Sequence, residues 1–142
     1  MNDRPGEQFV DTNVVVYAYD LSAGKRQEQA ELLLNRLWQL RTGCLSIQVL
    51  QEFYNITTRK LNNPLSSQHA YDIVADLGQW RVHMPAVGDV LGAIQIQQRY
   101  QLSFWDALIV RSAAQLGCAI LWSEDLNDGQ IFEGVEVRNP FV

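Results

Sequence analysis

Gly117-Cys118-Ala119-Ile120-Leu121-Trp122-Ser123-Glu124-Asp125 is the stretch that decides the fold. A glycine stops the apolar helix before it, Ala119–Trp122 forms a short apolar run, and polar and acidic residues follow at once. An apolar run this short, bounded by turn signals, reads as a strand buried on both faces. Working outward, the same kind of unit recurs. Gln8–Asp11 reads as a short buried strand, Cys44–Ile47 as a second and Arg81–Met84 as a third, with Val135–Val137 as a last edge strand. Helices are expected between them: Asn13–Tyr19, Lys25–Leu40, Gln48–Leu61, a helix capped by Ser66 and running to about Gly78, Val87–Arg99, and one that Ser103 begins and that runs to Leu116. Lys25–Leu40 is the clearest of these, because Ala30, Leu33, Leu34, Leu37 and Leu40 recur at helical spacing. Asp20–Gly24 and Asn62-Asn63-Pro64 are polar breaks. Strands alternating with helices predict an α/β fold, a parallel sheet covered by helices on both faces. In such sheets ligands bind beyond the carboxyl ends of the strands, near the switch point.

Composition narrows the classes. A chain of 142 residues suits one domain with a real core, taken as 1–142 with its core at about 9–141. With 47% apolar and 19% charged residues it is globular rather than disordered. No apolar run approaches the ~20 residues that span a bilayer. Met1-Asn2-Asp3-Arg4-Pro5 is polar, without the apolar core of a signal peptide, so a cytoplasmic protein is expected. The two cysteines, Cys44 and Cys118, open apolar runs and are expected buried and reduced. Two histidines and no cysteine cluster argue against zinc. A net charge of −5 is not the footprint of a protein that grips duplex DNA by bulk electrostatics. An acidic metal site would account for part of that excess.

Four acids stand beside apolar runs. Asp11 ends the first strand, Glu52 sits inside an apolar helix, Asp106 opens the helix after Ser103, and Asp125 follows the decisive strand. Each has a structural explanation. Asp11 can cap the next helix; Glu52 can face solvent; Ser103-Phe104-Trp105-Asp106 fits a capping box; and an acid in the loop Ser123–Asp128 can simply be solvated. The sequence around them says more. Asp11-Thr12-Asn13 places three polar groups where one cap suffices. The helix behind Asp106 is almost wholly apolar, so that acid is expected to be desolvated, with the helix dipole keeping it ionised. Topology would bring Asp11 and the late loop to the same sheet edge. Spacing alone leaves Glu124, Asp125 and Asp128 equal candidates there. Two carboxylates about 4 Å apart repel by roughly 4 kcal/mol at an effective dielectric near 20. A chain that gathers such charges is expected to hold a divalent metal, which points to hydrolysis of a phosphodiester.

Asp11-Thr12-Asn13, a mid-chain helical Glu52, Ser103-Phe104-Trp105-Asp106-Ala107-Leu108-Ile109 and Leu121-Trp122-Ser123-Glu124-Asp125-Leu126 occur in the order seen in PIN-domain ribonucleases. The ending Gly134-Val135-Glu136-Val137-Arg138-Asn139-Pro140-Phe141 resembles members of the same family. The chain is most similar to VapC-like toxins of prokaryotic toxin–antitoxin pairs, over about Phe9 to Phe141. That resemblance implies a three-layer α/β/α fold and Mg²⁺- or Mn²⁺-dependent RNA cleavage. It implies Asp11, Glu52, Asp106 and Asp125 as the catalytic acids, with Asn13 and Ser123 supporting them, and with Asp11, Asp106 and Asp125 on the metal. It also implies an RNA substrate, a cognate antitoxin and a homodimer. About eight more residues precede the first strand than in many family members. Arg59, Lys60, Arg99 and Arg111 are candidate phosphate contacts, and Tyr17, Tyr54, Phe104 and Trp105 candidate base-stacking aromatics, each with an ordinary helix-face or core role as the plainer reading.

Two other functions are weighed. A phosphoaspartate enzyme of the haloacid-dehalogenase type needs a second acid two residues after the nucleophile, where this chain has Asn13; a receiver needs a lysine after a late strand, and the run after Trp122 has none. A catalytically inactive PIN-like interaction protein is the second alternative; it would bind no Mg²⁺ or Mn²⁺, and all four acids are present.

Overall fold

The computed structural model describes residues 6–142. The polar segment Met1–Pro5 lies outside them, so the reading of that segment is not addressed by the structure. Six strands and six α-helices follow one another as β1 (Gln8–Val10), α1 (Thr12–Ala18), α2 (Lys25–Leu40), β2 (Gly43–Ser46), α3 (Ile47–Arg59), α4 (Ser67–Leu77), β3 (Arg81–His83), α5 (Val87–Tyr100), α6 (Phe104–Gln115), β4 (Ile120–Trp122), β5 (Ile131–Phe132) and β6 (Val135–Arg138), with one 3₁₀ turn at Leu21–Ala23. The strands form one sheet in the order β3-β2-β1-β4-β6-β5. Every neighbouring pair is parallel except β5 with β6. This is the expected three-layer α/β/α architecture.

The order matters for function. From β1 the chain winds outward through β2 to β3, then returns to place β4 on the other side of β1. The sheet therefore has its switch point between β1 and β4, where crevices for ligands open. Phe9 faces Leu121 in register, and the ladder is extended by the Asp11 N–H, which donates to the Trp122 carbonyl at 2.9 Å. The strand ends carrying Asp11 and Ser123 are thus locked side by side.

Burial explains why these short runs are strands. All of β1 and β2 is buried, as continuous apolar parallel strands require. Phe9, Leu45, Leu121, Val135 and Val137 form the sheet's part of the core, met by Val14, Leu37, Phe53 and Val110 from the helices. Cys44 and Cys118 are buried and free, as their apolar settings predict.

Several boundaries differ from the sequence reading. Ile47 belongs to α3 rather than to β2, because the Ser46 hydroxyl accepts from the Val49 N–H and caps the helix one residue earlier. The expected edge strand Val135–Val137 is not an edge: β6 lies between β4 and β5, and β5 covers its outer side. Ile131–Phe132 is too short for a period to show, and Gly134 at φ 81° makes the tight return that pairs it.

Candidate metal centre

Asp11, Asp106 and Asp125 converge. One carboxylate oxygen of each lies within 4.8 Å of those of the other two. They come from three elements that the fold must assemble: the end of β1, the first turn of α6 and the loop after β4. Glu124 and Asp128 are engaged elsewhere. Glu124 accepts from the Tyr17 hydroxyl at 3.1 Å and from Arg26 Nε at 2.7 Å, while Asp128 accepts from the Asn139 N–H at 2.8 Å. Asp125 is the loop acid that reaches the cluster, a choice that spacing left open.

Each acid is held by its own neighbours. Asp11 is 6% exposed and serves as the N-cap of α1, its Oδ1 accepting from the Thr12 N–H at 2.7 Å. The buried Ser123 hydroxyl donates to Asp11 Oδ2 at 2.9 Å, and its oxygen accepts from the Asp125 N–H at 3.2 Å. The Asn13 amide donates to Asp125 Oδ2 at 2.7 Å. Capping and site-building are therefore the same act for Asp11, not competing explanations. At Asp106 the Ser103 hydroxyl accepts from the Asp106 N–H at 3.1 Å, and the carboxylate turns to the cluster. The desolvation expected there is not found in full: Asp106 is half-buried at the rim of its apolar helix.

Glu52 stands one step away. It is half-buried on α3, and its Oε1 accepts from the Thr12 hydroxyl at 3.4 Å. It is outside the three-carboxylate group. Thr12, unremarked in the sequence beyond its place beside Asp11, links both acids: its N–H serves Asp11 and its hydroxyl meets Glu52. Gln48 was also missed. It is buried, donates to the Trp105 carbonyl at 3.4 Å, and leaves its Oε1 without a partner.

The electrostatics follow from this packing. Burial pushes the Asp11 carboxyl up to about 7; the bonds from Ser123 and Thr12 oppose the rise, and the charges of Asp125 and Asp106 add to it. Asp125 is raised too, first by partial loss of solvent and then by the charges of Asp106 and Glu124, against the lowering bond from Asn13. At the cluster's separation two carboxylates repel by about 3–4 kcal/mol at an effective dielectric near 20. The donor set is three hard oxygens without thiolate or imidazole, which fits Mg²⁺ or Mn²⁺ rather than zinc.

The candidate RNA contacts divide. Arg111 is committed to Asp89 at 2.9 Å and Arg99 to Glu133, so neither guanidinium is free. Arg59 and Lys60 are exposed about two helical turns beyond Glu52. Among the aromatics, Tyr17 is bonded to Glu124 and Phe104 packs on the core, while Trp105, next to Asp106, is 62% exposed.

Residues 9–129 match the family model described as PIN domain. Two solved structures share the fold. The crystal structure of Mycobacterium tuberculosis VapC20, described as a sarcin-ricin loop cleaving toxin, aligns with a TM-score of 0.64 at 20% identity, over 91% of this chain and 98% of that one. The structure of FitAB bound to an IR36 DNA fragment aligns with a TM-score of 0.72 at 18% identity, over 95% of this chain and 96% of that one. No curated protein sequence gives a significant match.

Proposed function

The chain belongs to the PIN domain family, and from that premise we propose that it is a Mg²⁺- or Mn²⁺-dependent endoribonuclease acting as the toxin of a toxin–antitoxin pair. The observation that carries the proposal is the group of three carboxylates within 4.8 Å at the sheet's switch point. A divalent ion held by Asp11, Asp106 and Asp125 would supply positive charge for the scissile phosphate and a more acidic water.

The remaining chemistry belongs to side chains. Ser123 and the Thr12 N–H fix both oxygens of Asp11, so its carboxylate cannot swing away from the cluster. Asn13 holds Asp125 through its Oδ2. Glu52, which accepts from the Thr12 hydroxyl outside the ligand group, would position or deprotonate the attacking water or complete the ligand set. The exposed Trp105 ring beside Asp106 offers a surface on which a splayed base can stack.

An antitoxin and a second copy of the chain are proposed as protein partners. Exposed apolar surface supports this: Val87, Val90, Leu91 and Ile94 lie along α5 at helical spacing, and Leu50, Tyr54, Tyr71 and Val74 line an apolar hollow between α3 and α4. The two free cysteines agree with a reducing, cytoplasmic location, and no helix of the described residues is long and apolar enough to cross a membrane.

Incubation of wild type and Asp106→Asn with structured RNA in Mn²⁺ tests the reading. Cleavage by the wild type, lost in the variant and in excess EDTA, is expected. Full activity of Asp106→Asn, or activity undiminished by EDTA, would overturn it.

A further inference from the structure

At the end of the sheet opposite the acids lies a second concave site. Glu7 precedes β1, Gly43 opens β2 and Arg81 opens β3, so their surroundings face away from Asp11, about 13 Å further along β1 at 3.3 Å per residue. A cleft of about 440 Å³ opens there, lined by Glu7, Trp38, Arg41, Gln79, Trp80 and Arg81. Its volume falls within the roughly 300–1,000 Å³ of small-molecule sites.

Its chemistry is unusual for this acidic chain. Arg26, Arg99, Arg111 and Arg138 are each paired with a carboxylate. Arg41 and Arg81, like Arg36 and Arg59, make no ion pair among the described residues, and of these Arg41 and Arg81 line this cleft together. Arg81 is steadied by one bond, its Nη1 donating to the Leu116 carbonyl at 2.7 Å. Arg41 is the left-handed C-cap of α2, at φ 56°. Two indoles share the lining with the guanidiniums. Trp80 lies against bare backbone at Gly43, where an added Cβ would come within 2.4 Å of the ring. Its Nε1 has no hydrogen-bond partner, so packing alone seats it. Trp38 leans on Trp80 with ring centroids 5.8 Å apart, yet remains 45% exposed. Glu7, whose Oε2 accepts from the Cys44 thiol at 3.2 Å, and Gln79 add acceptors, and Glu7 is the single carboxylate of the lining.

We propose that this cleft binds a nucleotide unit, with the base stacked on Trp38 and the phosphate held by Arg41 and Arg81, and that its source is a single-stranded segment of the substrate RNA. Guanidiniums beside an exposed indole match phosphate and base together, the combination used for single strands. Glu7 and Gln79 are suited to the donor edge of a base. The polymer's identity rests on the nuclease reading; the nucleotide chemistry of the cleft does not. The site is remote from the acids, so it anchors a strand and takes no part in bond cleavage.

Fluorescence anisotropy of a short labelled single-stranded RNA, measured in EDTA so that nothing is cut, tests this. Trp38→Ala and Arg41→Gly are each expected to weaken binding about tenfold, as stacking and phosphate contacts do. Arg41→Gly relieves the left-handed backbone, so its loss of binding cannot be ascribed to unfolding. Arg138→Ala serves as the unaffected control. Competition with a free purine monophosphate separates the sources: displacement only by oligonucleotide assigns the cleft to RNA, and equal displacement by the monophosphate overturns RNA as the source in favour of a free nucleotide. With Mn²⁺, the variants should raise KM on long RNA and leave kcat unchanged. If the wild type cleaves RNA and both variants bind and cleave like it, the cleft proposal fails and the nuclease reading stands. If the wild type cuts nothing but binds RNA through Trp38 and Arg41, the reverse holds.

Discussion

Asp11→Asn should make the metal-free protein more stable while removing its activity. Asp11 is almost wholly buried, and its carboxyl is raised from 3.8 to about 7. Between these values the folded chain keeps a proton that the unfolded chain has released. Stability therefore falls as pH rises through that window, by about 1.4 kcal/mol per unit, and by about 4 kcal/mol in all by pH 7 and above. Asparagine carries no charge to desolvate. Its Oδ1 can accept from Thr12 and its Nδ2 can donate to Ser123, at a cost of about 1 kcal/mol for the rearranged hydroxyl. The variant is expected to gain about 2–3 kcal/mol over wild type at pH 8 in EDTA, and to show no gain near pH 4, where both forms are neutral. Urea unfolding of the two proteins at both pH values measures the difference, and groups common to both cancel. Saturating Mn²⁺ should shrink the gain at pH 8 by stabilising the wild type alone. A variant less stable than wild type at pH 8 in EDTA would refute the argument that Asp11 is held charged against its surroundings.

Other substitutions probe the neighbouring parts. Asp125→Asn should weaken Mn²⁺ binding about tenfold or more, and Glu124→Gln within about threefold, since Glu124 is tied to Arg26 at the surface; calorimetric titration compares them. Gly43→Ala should cost about 1–3 kcal/mol, because the new Cβ meets the Trp80 ring and forces a repacking. Denaturant midpoints would show it. Asp89→Ala removes the 6%-exposed partner of Arg111 and His83 and should cost about 2–3 kcal/mol at pH 7. The Asp89 carboxyl lies below its usual range, chiefly through the Ala86 N–H bond, which outweighs the opposing effect of burial, with help from Arg111. Its contribution is thus present above about pH 4 and fades as pH falls through the folded value, so the variant's deficit should narrow in acid.

Much of this was legible because the chain states it locally. Apolar runs of three or four residues fix β1, β2 and β4, and Ser66 and Ser103 cap their helices as read. Asp11, Asp106 and Asp125 stand at element ends; topology brings Asp11 and the late loop to one sheet edge, and the family resemblance singles out Asp125 there. What escaped depended on contacts across the fold. Nothing in the spacing of Arg26 and Tyr17 shows that they hold Glu124 away from the site, 98 and 107 residues distant. Arg99 and Arg111 looked free because Glu133 and Asp89 lie on other elements. Glu52 is a milder case: a helical glutamate beside apolar neighbours gives no hint that a threonine 40 residues earlier will meet it.

The pairing of β1 with β4 also sets when the carboxylate cluster is complete. Asp11 is made 114 residues before Asp125, and the strand that unites them, Ile120–Trp122, must be in place first. Domains fold as units during synthesis, and long-range parallel pairing comes late. A growing chain on the ribosome therefore holds no complete cluster until β4 and the loop after it have emerged. On the proposed nuclease function, the nascent chain cannot cut RNA before β4 has formed, and a product truncated before Ile120 lacks Asp125 and stays inactive.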